Sequence, residues 1–210
     1  SYGSSINSSH QIEGDSINSD GKDHAFIWQG NHFTDLGTLG GDDSSGVCIN
    51  AAGHATGTAQ ITVNTSDPST FHVFLYDGKT MHDCGTLGGN YANANFMNNN
   101  DQIVGYSLLA DGTTDHAFLY RDGVMADLNT LIPTGTGVTL TSATGINDSG
   151  QIVATGTDSS GDIHSYLLNP VPEPSAFALA GFAVVMLRGR NKQWNSRVRE
   201  NGITSFRLIG

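Results

Sequence analysis

Hydrophobic and polar positions alternate along most of this chain, in short runs that end at Gly, Asn or Asp. A period of two, interrupted at short intervals by turn-forming residues, predicts strands and hairpins. The clearest runs are HAFIW at His24–Trp28, HVFLY at His72–Tyr76 and HAFLY at His116–Tyr120, with a looser HSYLL at His164–Leu168. In the first three, the His is followed at an offset of eleven residues by an Asp that opens DLGTLGG (Asp35–Gly41), DCGTLGG (Asp83–Gly89) or DLNTL (Asp127–Leu131). The four His lie 48, 44 and 48 residues apart, so the chain is a tandem array.

A second word recurs between these: INSSHQIEG at Ile6–Gly14, INAAGHATG at Ile49–Gly57, MNNNDQIVG at Met97–Gly105 and INDSGQIVA at Ile146–Ala154. The array opens in mid-repeat at Ser1, and the expectation is that the rest of that unit and a targeting signal lie upstream. The unit from His72 reads as four strands: HVFLY, a DG turn at Asp77–Gly78, TMHDCGTL (Thr80–Leu87), NYANANFMN (Asn90–Asn98) and QIVGYSLL (Gln102–Leu109). The loop Ala110–Asp115 then leads to the next His. Taken together, each unit predicts one four-stranded antiparallel sheet.

The fold class expected is therefore all-β: tandem four-stranded antiparallel sheets arranged like a β-propeller, small or incomplete, with about four blades. Residues 1–23 supply a partial unit, units start at 24, 72 and 116, and 164–168 adds a terminal strand, so the repeat domain spans 1–169. A ring closes if that last strand joins the opening pair; an open fan is the competing arrangement. A lone sheet cannot cover both faces, so neighbours must stack on their shared Phe, Leu, Ile and Val residues. Each such side chain contributes roughly 1.5–3 kcal/mol when buried.

Charge narrows the function. The net charge is −11, and up to residue 170 the only basic residues are Lys22, Lys79 and Arg121, against eighteen Asp and Glu. An acidic body repels phosphate, which excludes nucleic acid as a partner. From 171 onward the balance reverses, with six Lys or Arg against Glu173 and Glu200. Cys84 stands where other units have Leu36 and Leu128, so it reads as a small buried hydrophobe, with a disulfide to Cys48 as the alternative.

Together these words resemble the HAF repeat of predicted extracellular bacterial proteins, over residues 1 to about 169. A further stretch, VPEPSAFALAGFAVVMLRGR at Val171–Arg190, resembles the PEP-CTERM sorting signal: a Pro-Glu-Pro word, an apolar helix and a basic stop. Val171, Pro172, Glu173, Pro174, Arg188 and Arg190 carry that match, within a sorting segment at 170–190. The resemblance implies processing by an exosortase and delivery to the cell surface or exopolysaccharide matrix of a Gram-negative-type bacterium, with transient membrane anchoring through the helix. The apolar run Ala176–Leu187 would span roughly 18 Å as a helix, short of the roughly 30 Å bilayer core. The basic tail 191–210 matches neither the repeat nor the signal.

Candidate chemistry is sparse. His24, His72, His116 and His164 occupy equivalent positions; they either converge on a metal or each hydrogen-bond a turn of their own unit. Acidic loops holding Asp20 and Asp23, Asp111 and Asp115, and Asp158 and Asp162 are candidate calcium ligands, or ordinary turn residues. No Gly-x-Ser-x-Gly elbow, phosphate loop or Cys–His arrangement occurs, and no unrepeated carboxylate pair suggests glycoside hydrolysis. The function expected is that of a secreted, non-enzymatic, cofactor-free surface protein whose partners are exopolysaccharide or other surface proteins. A carbohydrate-active enzyme and a calcium-stabilised structural module are the alternatives.

Overall fold

In the computed structural model, which describes residues 1–61, 70–172 and 203–209, the chain is all-β and its strands pair almost wholly antiparallel. The first sheet contains β1 (Tyr2–Ile6), β2 (Ile12–Ile17), β3 (Asp23–Gln29) and β4 (His32–Gly37), in that spatial order. The same meander follows in β5 (Gly40–Ile49), β6 (Ala55–Ile61), β7 (Phe71–Tyr76) and β8 (Met81–Gly85). It recurs in β9 (Gly88–Met97), β10 (Ile103–Leu109), β11 (Asp115–Arg121) and β12 (Val124–Asp127). The last group is β13 (Thr139–Ile146), β14 (Ile152–Thr157), β15 (Ile163–Pro172) and β16 (Ile203–Ile209). A single parallel bridge, Phe71 opposite Tyr91, joins the second and third groups into one eight-stranded surface.

The four-stranded groups are therefore real, but their membership is shifted by two strands from the unit expected. The HAF strand does not begin a sheet. It is the third strand of one, and pairs with the preceding QIxG strand in full register, as in Ile103–Leu108 against Tyr120–Asp115. The reason lies in DLGTLGG, which carries the chain from one sheet to the next. Asp35 Oδ1 accepts the Gly37 amide at 2.8 Å, and Thr38 Oγ1 accepts from the Gly40 amide while donating to the Gly41 carbonyl. Gly37 and Gly40 sit at φ +72° and +104°, a region that favours glycine. Gly85 and Gly88 repeat the geometry at +77° and +107°. Leu39 and Leu87 then bridge in parallel to Ile61 and Leu109, strands of the following sheet. In the third copy, which lacks the Gly pair, Asp127 caps a 3-10 turn at Leu128–Thr130, and Asn129 bonds both backbone groups of Leu140 on the next sheet.

Consecutive sheets stack, with β2 and β3 against β5, β6 against β9, and β10 and β11 against β13. Among the described residues the interior divides into three clusters, one per junction. The Phe of each HAF word points back to the preceding sheet, so Phe74, Phe118 and the equivalent Tyr166 lie in successive clusters. The residue after it points forward: Ile27 in the first junction and Leu119 in the third. Alternation within one strand thus feeds two cores.

Two expectations at the C-terminal end change. Residues 164–168 do not join the opening pair; β15 hydrogen-bonds to β14 and β16. The tail, which matched no repeat, supplies β16, and Phe206 is buried in the third cluster with its amide donating to the Leu131 carbonyl at 2.8 Å. An exposed strand edge recruits any segment of suitable alternation, and ITSFRLI has it. Val171 and Pro172 are the end of β15, where Pro170 and Pro172 lie past the last β14 partner. Glu173, Pro174, Arg188, Arg190 and the expected helix at 176–187 lie outside the described residues. Among the described residues no helix is long and apolar enough to cross a membrane.

Candidate functional site

The turn in each INxxGQ-like word places an Asn at the same point, and these form a ladder across the sheets. Asn7 Nδ2 donates to the Asn50 carbonyl at 2.9 Å, Asn50 to Asn98 at 3.3 Å, and Asn98 to Asn147 at 2.9 Å. Each Oδ1 meanwhile accepts two amides of its own turn, as Asn98 does from Asn100 and Gln102. Around the ladder, Asp101 accepts from Asn50 Nδ2 and His54 Nδ1, and Asp148 accepts from the Asn99 amide and side chain. The Asn99 bonds hold the Asp148 carboxyl below the usual carboxylate range. Sequence reading passed over this ladder, although the signal was present: the same Asn recurs at 7, 50, 98 and 147.

At this end of the molecule, between the first two sheets, a shallow cavity of about 150 Å³ opens. Gln11, Ile27, Gln29, His32, Thr34, Gly53, Tyr76 and Gly78 line it. Gln11 is held by Asn7 Nδ2 at 2.7 Å and passes its own amide hydrogen to Gln29 Oε1 at 3.3 Å. Gly53 is needed here because its φ is +84°, a conformation that side-chain-bearing residues rarely adopt. The wall therefore offers amide donors and acceptors, a hydroxyl, an imidazole and an aromatic ring, with no carboxylate among its lining residues. That set suits hydrogen bonding to a neutral, hydroxyl-rich group with one ring face apposed.

The repeated His have local partners. His24 Nδ1 donates to Asp35 at 2.8 Å, His72 to Asp83 at 2.8 Å and His116 to Asp127 at 2.7 Å, each across two paired strands of one sheet. The eleven-residue offset in the sequence is this clamp. His164, with Ser175 eleven residues on, instead faces Asp158 at 3.3 Å. Among the described residues no cluster of three or more His, Cys, Asp or Glu is placed to hold a metal ion.

In the acidic loops, the Asp111 carboxylate accepts the Thr113 and Thr114 amides and the Thr114 hydroxyl, which holds its pKa down at about 2. Asp158 accepts the Ser160 and Asp162 amides, and the Asp162 and Ser160 bonds likewise lower its pKa. The Asp20 and Asp23 amides donate to Asn18 and Asp43. The Asp111 and Asp158 loops are knit by their own backbone amides, while Asp115 is the first residue of β11 and Asp162 immediately precedes β15. Cys48 and Cys84 are free, buried thiols of the second cluster, and burial pushes Cys84 up to about 12.

One buried group has no counterpart in the sequence expectations. Glu13, on β2, is fully inaccessible between the first two sheets, and neither carboxyl oxygen has a well-formed hydrogen bond. Burial raises its pKa to about 9, the Asp15 charge adds to the shift, and the nearby Val47 amide offsets only part. Gly46 makes room for it, since a Cβ there would lie 1.7 Å from Glu13 Oε1. The equivalent positions on later sheets are Thr56, Val104 and Val153. The chain matches no protein-family model and no curated protein.

Proposed function

We propose that this chain is a secreted or cell-surface, non-enzymatic repeat protein that binds exopolysaccharide, its sheets serving as the blades of a small propeller-like array. The pocket between the first two sheets is the observation that carries this reading. Its lining of Gln11, Gln29, His32, Thr34 and Tyr76 can exchange hydrogen bonds with sugar hydroxyls and stack on a ring face. At about 150 Å³ it falls below the roughly 300–1,000 Å³ of pockets that enclose a whole small ligand. It would take one residue of a polymer whose remainder runs along the turn-rich end.

Hydrolysis of a glycosidic bond needs two carboxyl groups facing each other across the bond, and the pocket lining has none. The likeness of Val171–Arg190 to a PEP-CTERM signal supports export and exosortase processing, and with it the cell-surface location. The test is affinity electrophoresis of the chain through gels containing neutral and acidic bacterial polysaccharides. Retardation by at least one polymer, abolished in Tyr76→Ala and in Gln29→Ala, is the expected result. Equal mobility in every gel, or release of reducing sugars from a retained polymer, would overturn the proposal.

A further inference from the structure

The two outermost sheet faces are the complementary halves of an interface that the protein already builds three times. The backward-facing surface of each sheet carries equivalent residues. On the second sheet these are Ile49, Phe74, Tyr76 and Met81, and on the third Met97, Phe118, Tyr120 and Met125, all packed into a junction. The first sheet carries Ile6, Phe26, Trp28 and Phe33 in the same places; Phe26 is buried, stacked on Phe33 at 4.7 Å, and among the described residues no other sheet packs against this face. Ile6 is 63% exposed where its counterpart Met97 is 2% exposed, and Trp28 and Phe33 are exposed as well. At the other end, the forward face of the fourth sheet leaves Val153 45% exposed where its counterpart Val104 is fully buried. Leu167, the counterpart of buried Leu119, is exposed there too.

The Asn ladder carries the same polarity. Asn7, Asn50 and Asn98 each donate to the carbonyl of the next turn. Among the described residues, Asn147 Nδ2 meets only Gln151 of its own turn, at 2.8 Å. Among the described residues, the first and fourth sheets form no packed junction with each other.

We propose that the chain associates head to tail with a second copy of itself. The forward face of β14–β15 in one copy seats on the backward face of β1–β4 in the next, and Asn147 donates to the Asn7 carbonyl. Such a contact is heterologous, so it extends into longer arrays unless the rotation happens to close. Both halves of the junction stand on one molecule, and the three internal junctions show that these residue types fit together. A second copy is therefore the occupant the faces are shaped for.

The test uses the full 210-residue chain in sedimentation velocity across a concentration series, at a salt level that screens its net negative charge. Dimers and longer species growing with concentration are expected. Ile6→Arg blocks the backward face and Val153→Arg the forward one; both side chains are exposed, so each monomer retains its β-rich circular dichroism. Each variant alone should be monomeric, and an equimolar mixture should form dimers that grow no further. Asn147→Asp keeps the turn acceptor but removes the donor, and should weaken association roughly tenfold. A wild-type chain that stays monomeric throughout would overturn the proposal. So would a dimer that survives in each single variant, because that would be a symmetric contact of another surface.

Discussion

Replacing Glu13 by a neutral side chain of the same shape, as Glu13→Gln, should abolish the pH dependence that this one group imposes on stability. In the folded chain the carboxyl retains its proton up to about pH 9, against 4.5 for the ordinary group. Between those values the unfolded chain has released the proton and the folded chain has not. The unfolded state then binds fewer protons, so stability falls as pH rises, at about 1.4 kcal/mol per pH unit. Full stability from this group is present only below the unfolded value. By pH 7 the loss is roughly 3 kcal/mol, a large part of a typical domain's 5–15 kcal/mol. Glutamine is neutral throughout and fits the space left by Gly46, though its amide is as poorly partnered as the acid. Urea unfolding of both proteins at pH 5, 6.5 and 8 measures the effect. Near pH 5 the two should be closely matched, and by pH 8 the variant should be more stable by several kcal/mol. Contributions from groups common to both chains cancel in the difference. Parallel pH profiles for wild type and variant would refute the reasoning, since they would mean that Glu13 ionises in the folded state as it does in water.

Two further outcomes concern the scaffold itself. Asn98→Ala removes the rung to Asn147 and strips two turn amides of their acceptor, so thermal unfolding should show a loss of roughly 2–3 kcal/mol, with Asn98→Asp recovering the part due to the turn. Phe206→Ala tests whether the tail belongs to the fold: the ring lies in the third cluster, and its truncation should cost roughly 3–5 kcal/mol in denaturant titration, whereas a dispensable tail would give no change.

Much of the architecture was written in local patterns. Alternation in HAFIW, HVFLY and HAFLY marks strands because side chains on a strand point to opposite faces, and the recurring words mark a repeat. The eleven-residue spacing of His and Asp also held a contact, visible as soon as two paired strands are drawn across their turn. Turn chemistry was legible too, since Asp and Asn before Gly bind their own backbone amides whatever surrounds them.

What the chain order could not reveal was the partitioning of strands among sheets. A run of strands joined by short connections reads the same whichever connection is the crossover, and only the parallel bridges of Leu39 and Leu87 identify DLGTLGG as the place where the chain changes sheets. The role of ITSFRLI was equally hidden, because a strand outside the repeat is recognised only by the free edge of β15 that it covers. Glu13 is the sharpest case. In sequence it is one acid in a polar stretch, and its unusual proton affinity arises from the second sheet closing over it, with Gly46 leaving the space. Periodicity and turn preference act over a few residues, so composition and order suffice to determine them. Burial, partner choice and desolvation depend on groups far apart along the chain, and only their packing in three dimensions decided those.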